Sequence, residues 1–171
     1  MSRALETDRL VIRPLMDKDE NAFIRGISDR TLRAMYGFPE EMDETVPPMI
    51  FRHFRDLEKA YALEEKNTGN MAGFLLDVVS ELPEDVSAGL PGTGRTLAYA
   101  VYPPYQRQGY MREALKEYIR RLFETTDTAF VHCGRFPENE PSKKLLRGLG
   151  FREFARHTAG RKELVDEVLF C

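Results

Sequence analysis

The sequence predicts a mixed α/β fold, a β-sheet carrying helices on its faces. Three observations predict it. Two strand-like runs, Tyr61–Glu65 and Met71–Val79, flank the turn-forming segment Lys66–Asn70 and read as an antiparallel hairpin. Between Leu97 and Cys133 a strand, an amphipathic helix and a second strand follow at the spacing of a βαβ unit, so those two strands should be parallel with a right-handed crossover. Two further strand-like runs, Phe151–Phe154 and Glu163–Phe170, close the chain.

Taken in order, Leu10–Pro14 is a short strand stopped by its proline. Asp17 is placed to cap a helix reaching Ile27, with Ala22, Phe23 and Ile27 on one face. Thr31–Tyr36 is a further helical turn and Pro39–Glu44 an acidic connector. A helix from Pro47 to near Lys59 carries Ile50, Phe51, Phe54 and Leu57. Ser80–Thr96 is rich in proline and glycine and reads as a loop, with Gly92-Thr93-Gly94 as flexible chain outside any phosphate-binding context. Leu97–Tyr102 is a strand closed by Pro103-Pro104. From Tyr110 to Thr125, Met111, Ala114, Leu115, Tyr118, Ile119, Leu122 and Phe123 fall at steps of three and four and make one apolar stripe, while Glu117 and Arg121 stand in the favourable i,i+4 order. Ala129–Cys133 is the next strand. Ser142–Arg147 is a short helix with Pro141 at its first turn and Gly150 at its exit.

Composition bounds the function. A chain of 171 residues without a linker-like stretch is expected to form a single domain, 1–171. With 42% apolar and 31% charged residues it can bury a core rather than stay disordered. A net charge of −3 argues against a nucleic-acid partner and suits a cationic substrate. The two cysteines, Cys133 and Cys171, make no disulfide framework, and no spacing resembles a metal site. The longest apolar run, Met71–Leu76, is too short for a bilayer, and Met1–Pro14 lacks the apolar core of a signal peptide. No membrane partner is therefore expected and the compartment should be the cytoplasm. Monomer and homodimer both stay open.

The most informative stretch is Gln106–Met111, where a loop leaves a strand and opens a helix. Gly109 allows a sharp turn and close approach of backbone to a ligand. The first helical amides have no internal partner and the helix dipole is positive there, so the junction can hold a pyrophosphate, with Arg107 adding charge. The same residues also describe a plain βα turn whose glycine serves geometry alone. Neither a GxxxxGK[ST] loop nor a GxGxxG turn after a strand is present.

Gln106-Arg107-Gln108-Gly109-Tyr110-Met111 resembles the R/Q-x-x-G-x-G/A loop of the GCN5-related N-acetyltransferase (GNAT) superfamily, with Met111 departing from Gly or Ala. The run Tyr99–Leu115 is similar to the ribosomal-protein-alanine N-acetyltransferase-like branch. Leu5–Pro14 resembles that branch's opening L-x-T-x-R-L-x-L-R-x, and Asn139-Glu140-Pro141-Ser142 followed by Leu149-Gly150-Phe151 resembles its N-x-x-S and L-G-F segment. The matches occur in the family's order and span nearly the whole chain. The resemblance implies a GNAT fold: a mixed central β-sheet of about seven strands flanked by about four helices. The fourth and fifth strands, here Leu97–Tyr102 and Ala129–Cys133, would splay apart to admit acetyl-CoA. It further implies that Tyr99, Ala100 and Val101 line the pantetheine arm, that backbone amides in Gln106, Arg107, Gln108, Gly109, Tyr110 and Met111 hold the pyrophosphate, and that Asn139 contacts the arm. No metal is implied.

Acetyl transfer to an amine requires the amine to lose a proton, the thioester carbonyl to be polarised and the thiolate to be protonated. A backbone amide can polarise the carbonyl without any special side chain. The tyrosine that often serves as acid in the family aligns with Leu146, and the glutamate that often serves as base aligns with Thr96. Ser142 is the available hydroxyl, either as acid near the coenzyme sulfur or as a helix N-terminal hydrogen-bonding group. Tyr99 is either a proton relay or core. Glu40, Glu41 and Glu44 fall where the family builds its acceptor pocket and are equally explained as a solvated connector. His53, His132 and His157 are read as packed or exposed rather than catalytic, and Cys133 has no adjacent base.

Two functions compete. One is an N-acetyltransferase in which a primary amine, of a protein N-terminus or a small molecule, attacks acetyl-CoA directly. The other is a non-catalytic acyl-CoA-binding module, motivated by Leu146 and Thr96. A nucleotide-binding α/β domain is a third and weaker reading.

Overall fold

The computed structural model describes residues 4–57, 59–79, 82–160 and 162–171. Among them are strands β1 (Leu5–Glu6), β2 (Leu10–Pro14), β3 (Ala60–Glu65), β4 (Met71–Val79), β5 (Thr93–Val101), β6 (Thr128–Arg135), β7 (Arg152–Ala159) and β8 (Lys162–Phe170). The helices are α1 (Glu20–Ile27), α2 (Arg30–Tyr36), α3 (Val46–Asp56), the single turn α4 (Glu84–Ser87), α5 (Tyr110–Thr125) and α6 (Glu140–Gly148). The strands follow the order β1-β2-β3-β4-β5-β6-β8-β7. The fold is the expected mixed α/β architecture. It has one strand more than the seven foreseen, because Leu5–Glu6 pairs with Val11–Ile12 ahead of β2. It also has more helical segments than four, because α2 and α4 form as short pieces.

The chain comprises two compact units, residues 1–76 with 99–115, and residues 77–98 with 116–171. In the first, β2, β3 and β4 are antiparallel, and the turn Lys66–Asn70 joins β3 to β4 as expected. Phe23 of α1 is fully buried, with Phe51 and Phe54 of α3 and Phe74 of β4 at centroid distances of 5.5, 5.6 and 5.5 Å. Burial of such side chains supplies roughly 2 kcal/mol each and seats the helices on β3 and β4. Asp17 does not cap a helix. It lies in a 3-10 turn, Asp17–Asp19, and pairs with Arg55, while Asp19 is buried against Arg13 at 2.7 Å. Asp19 is taken up by that pair: together with Glu64 its carboxylate neutralises the buried Arg13 guanidinium. The helix Thr31–Tyr36 begins one residue earlier, capped by the Asp29 side chain on Leu32 N–H at 2.8 Å.

In the second unit β5 and β6 are parallel, as the βαβ spacing predicts, and β6, β8 and β7 are antiparallel. The segment 80–96 is not loop throughout. Residues 80 and 81 lie outside the described residues, α4 forms within it, and β5 begins at Thr93, four residues before the predicted start. Gly94 explains the miss: a Cβ there would stand 2.0 Å from the Phe130 ring, so glycine permits this strand pairing rather than breaking it. The Thr93–Thr96 register against Thr128–His132 is the last paired stretch of that ladder among the described residues. The next amide, Leu97 N–H, donates to the Cys133 thiol instead.

Helix α5 has the predicted limits, and its stripe from Met111 to Leu122 is buried. The Glu117–Arg121 pair gives way to Arg120, which binds Glu117 at 2.5 Å and Glu124 at 2.5 Å. Tyr118 is buried and donates to Asp77, whose other oxygen accepts from Arg95. Arg135 pairs with Glu167 at 2.8 Å in full burial.

Candidate active site

The candidate coenzyme site is built at the exit of β5. Tyr99 and Val101 are half-buried and Ala100 is buried. A 3-10 turn, Pro103–Tyr105, leads into Gln106–Gly109, whose side chains are exposed. Arg107 has φ +61° and Gly109 φ +82°. A left-handed arginine needs local support. Gln106 Nε2 donates to the Val101 carbonyl at 3.0 Å, and Gln108 Nε2 to the Pro104 carbonyl at 2.9 Å.

The β1–β2 connection clamps this loop. Arg9 donates to the Gln108 carbonyl at 2.9 Å and to Glu113 Oε2 at 2.7 Å, and its guanidinium lies 4.5 Å from the Tyr110 ring centroid. Glu113 Oε1 accepts from the Thr7 hydroxyl at 2.6 Å and the Arg9 amide at 2.8 Å, and the Tyr110 hydroxyl donates to Glu65. Burial pushes the Glu113 carboxyl up. The Thr7 and Arg9 bonds outweigh it and hold the carboxyl below the ordinary glutamate range. The opening T-x-R motif thus has a physical role: it ties the N-terminal hairpin to the first turn of α5.

Helix α5 starts behind a residue with no side chain to offer its amides. Gly109 precedes Tyr110, and the first backbone bond runs from Glu113 N–H to the Gly109 carbonyl at 3.0 Å. The amides before it have no intrahelical acceptor, and the dipole favours an anion there. Tyr110 and Met111 are buried. A methionine is accommodated where the family has Gly or Ala because its side chain packs into the core and leaves the backbone free to serve the loop. Beside the loop, Arg25, Gly26, Asp29, Met71, Tyr102 and Tyr105 help line a cleft of ≈ 520 Å³. It contains both a cation and a carboxylate, which selects no substrate.

In the other unit, Asn139 is the N-cap of α6 and its Oδ1 accepts from Ser142 N–H at 3.1 Å. Asn139 and Ser142 therefore stand together at one helix start. Leu146 is fully buried and serves the core. Cys133 is buried, and burial pushes its thiol far up, against the Leu97 amide, so it stays a neutral thiol. His53 is exposed on α3, and Glu40, Glu41 and Glu44 are exposed.

One polar array was not foreseen. Thr96 Oγ1 lies 3.0 Å from His132 Nδ1, His132 Nε2 lies 2.9 Å from Asp166 Oδ1, and His157 Nδ1 lies 2.7 Å from Asp166 Oδ2. Its signal was available: Asp166-Glu167 interrupts an apolar strand, and buried acids are almost never unpaired. Among the described residues, no group of His, Cys, Asp and Glu is arranged to hold a metal, and no helix is long and apolar enough to cross a membrane.

The fold is that of known acetyltransferases. It matches a GNAT-family acetyltransferase from Bacillus anthracis with a TM-score of 0.79 at 16% identity, covering 98% of each chain. It matches the ribosomal-protein-S5-alanine acetyltransferase of Vibrio fischeri with a TM-score of 0.71 at 16% identity, covering 98% of this chain and 96% of that one. The sequence is 21% identical over 157 residues to the uncharacterized N-acetyltransferase YoaA of Bacillus subtilis (strain 168), spanning 87% of this chain and 82% of that protein. The profile of the acetyltransferase (GNAT) domain matches residues 9–152. The chain belongs to the GNAT acetyltransferase family and is an acyltransferase; the family uses acetyl-CoA.

Proposed function

We propose that this chain, acting as a single cytoplasmic domain, transfers the acetyl group of acetyl-CoA to a primary amine by direct attack. The acceptor is a protein N-terminus or a small-molecule amine. The observation that carries the reading is the Gln106–Met111 junction: two left-handed residues and a helix start without a capping side chain, held by Arg9, in a chain of the GNAT family. The amides of Arg107–Met111 hold the pyrophosphate, and Tyr99, Ala100 and Val101 line the pantetheine arm. Asn139 and Ser142 serve the arm and the sulfur. A backbone N–H of β5 polarises the thioester carbonyl, and the Ser142 hydroxyl supplies the proton that the buried Leu146 cannot.

Calorimetric titration of the wild type and Gly109→Trp with acetyl-CoA, CoA, ATP and NAD tests it, with thermal unfolding as the control for folding. Binding of the two CoA species alone, lost in a folded variant, supports the site. Preference for ATP or NAD sinks it. Tight CoA binding without acetylation of any amine in a broad panel would instead identify a binding module.

A further inference from the structure

The array centred on Asp166 can be read outward from its carboxylate. Asp166 is fully buried and His132 is 6% exposed. Burial pushes the Asp166 carboxyl up, but the bonds from His132 and His157 outweigh it and keep the carboxyl below its ordinary range. Asp166 is then ionised near neutrality and can only accept. Both imidazole nitrogens that face it, His132 Nε2 and His157 Nδ1, therefore carry hydrogen. When His132 carries hydrogen on Nε2 alone, its Nδ1 is bare and the Thr96 hydroxyl donates to it across 3.0 Å. Thr96 keeps its oxygen lone pairs and is half-exposed, at the last rung of the β5–β6 ladder. The neighbouring charges are engaged elsewhere, Arg95 with Asp77 and Arg135 with Glu167. The network reaches partly exposed groups at both ends, His157 and Thr96. At the Thr96 end it presents a hydroxyl able to take a proton while passing its own inward.

We propose that Thr96, His132 and Asp166 form the proton-accepting relay of the acetyl-transfer reaction, with the Thr96 hydroxyl meeting the acceptor nitrogen. The inference rests on the acetyl-transfer reading above. Thr96 lies on β5, upstream of Tyr99–Val101 on the strand assigned to the coenzyme arm. As the amine attacks the thioester carbon, its N–C bond forms and the C–S bond then breaks. The proton shed by nitrogen passes to Thr96 Oγ1, whose own proton moves to His132 Nδ1. The imidazolium is held by Asp166, which His157 keeps in place, and it returns its proton to solvent. The departing thiolate takes up one proton, so the count balances.

The test follows CoA release from acetyl-CoA with an alanine-initiated hexapeptide and with benzylamine, from about pH 5 to 8, for wild type, Thr96→Val and Thr96→Ser. Thr96→Val should lose about 10²-fold or more in kcat and the pH-dependent limb through which the relay acts, with acetyl-CoA affinity unchanged. Thr96→Ser should restore both. A Thr96→Val enzyme within about threefold of wild type, with the same limb, overturns the relay and leaves acetyl transfer standing. Transfer by the wild type to neither probe defeats the acetyl-transfer reading for these amines, and the relay with it. Should Thr96→Val not fold, nitrogen NMR of the wild type decides. The Nε2–H tautomer of His132 is expected, and an Nδ1–H tautomer overturns the relay.

Discussion

Helices α5 and α6 each follow a strand, and their starts are built in opposite ways. Helix α6 begins at Asn139, whose side chain accepts the Ser142 amide and satisfies that helix end from within. Helix α5 begins at Gly109, in a left-handed conformation and with no side chain to cap anything. Its geometry is held from outside, by Arg9 on the Gln108 carbonyl and by Thr7 and Arg9 on Glu113. A closed helix start needs nothing more. An open one leaves amides and dipole for a ligand, and its geometry must be supplied by other parts of the chain.

Giving α5 the device of α6 should have the largest effect. Gly109→Asn tolerates the positive φ and brings an oxygen that competes for the helix amides. We expect acetyl-CoA affinity to fall by about 10- to 100-fold with little change in Tm, read by calorimetry beside an unfolding scan. Arg9→Ala removes the clamp and should raise the acetyl-CoA Kd about tenfold. Because Arg9 is 44% exposed, its ion pair contributes little to stability, roughly 0–1 kcal/mol. Equal affinity in Arg9→Ala would show that the loop holds itself.

For α6, Asn139→Ala should cost about 1 kcal/mol in chemical denaturation. Asn139→Asp keeps an acceptor for Ser142 N–H and should retain stability. If the Asn139 amide also donates to the coenzyme arm, the aspartate variant alone separates the roles by weakening acetyl-CoA binding without loss of stability.

The smallest effect is with pH. The Glu113 carboxyl lies below its ordinary value near 4.5 in the folded chain, so its contribution is present above that value and is lost as pH falls through the lower folded value. The stability difference between wild type and Glu113→Gln, roughly 0.2–1 kcal/mol at neutral pH, should vanish in acid. A difference that persists there would mean the carboxylate charge is not what holds the clamp.

Much of this was legible in the residues. The 3.6-residue stripe of α5, the turn chemistry of Lys66–Asn70 and the βαβ spacing all report on near neighbours in sequence, and the helix, the turn and the parallel pairing all formed. The candidate loop was legible for the same reason, since glycine before an amphipathic helix is a local signal. Where reading failed, the partner was remote. Gly92-Thr93-Gly94 looked like loop because the Phe130 ring that needs Gly94 lies 36 positions further on. Asp17 looked like the cap because nothing nearby announced that Arg13 would be buried and would claim Asp19. Thr96, His132 and His157 were read singly, as an absent base and two imidazoles packed or exposed, and Asp166 was not singled out.

By itself, then, the sequence determined most element types, the parallel crossover and the glycine-opened helix start, because propensity and periodicity act within a few residues of chain. The tertiary structure alone decided which charges meet. Only it placed Arg9 on Glu113, ended the β5–β6 ladder beside Cys133 and linked Thr96 to Asp166 through His132. Hydrogen bonds and ion pairs act over about 3 Å in space, a separation that distance along the chain does not encode.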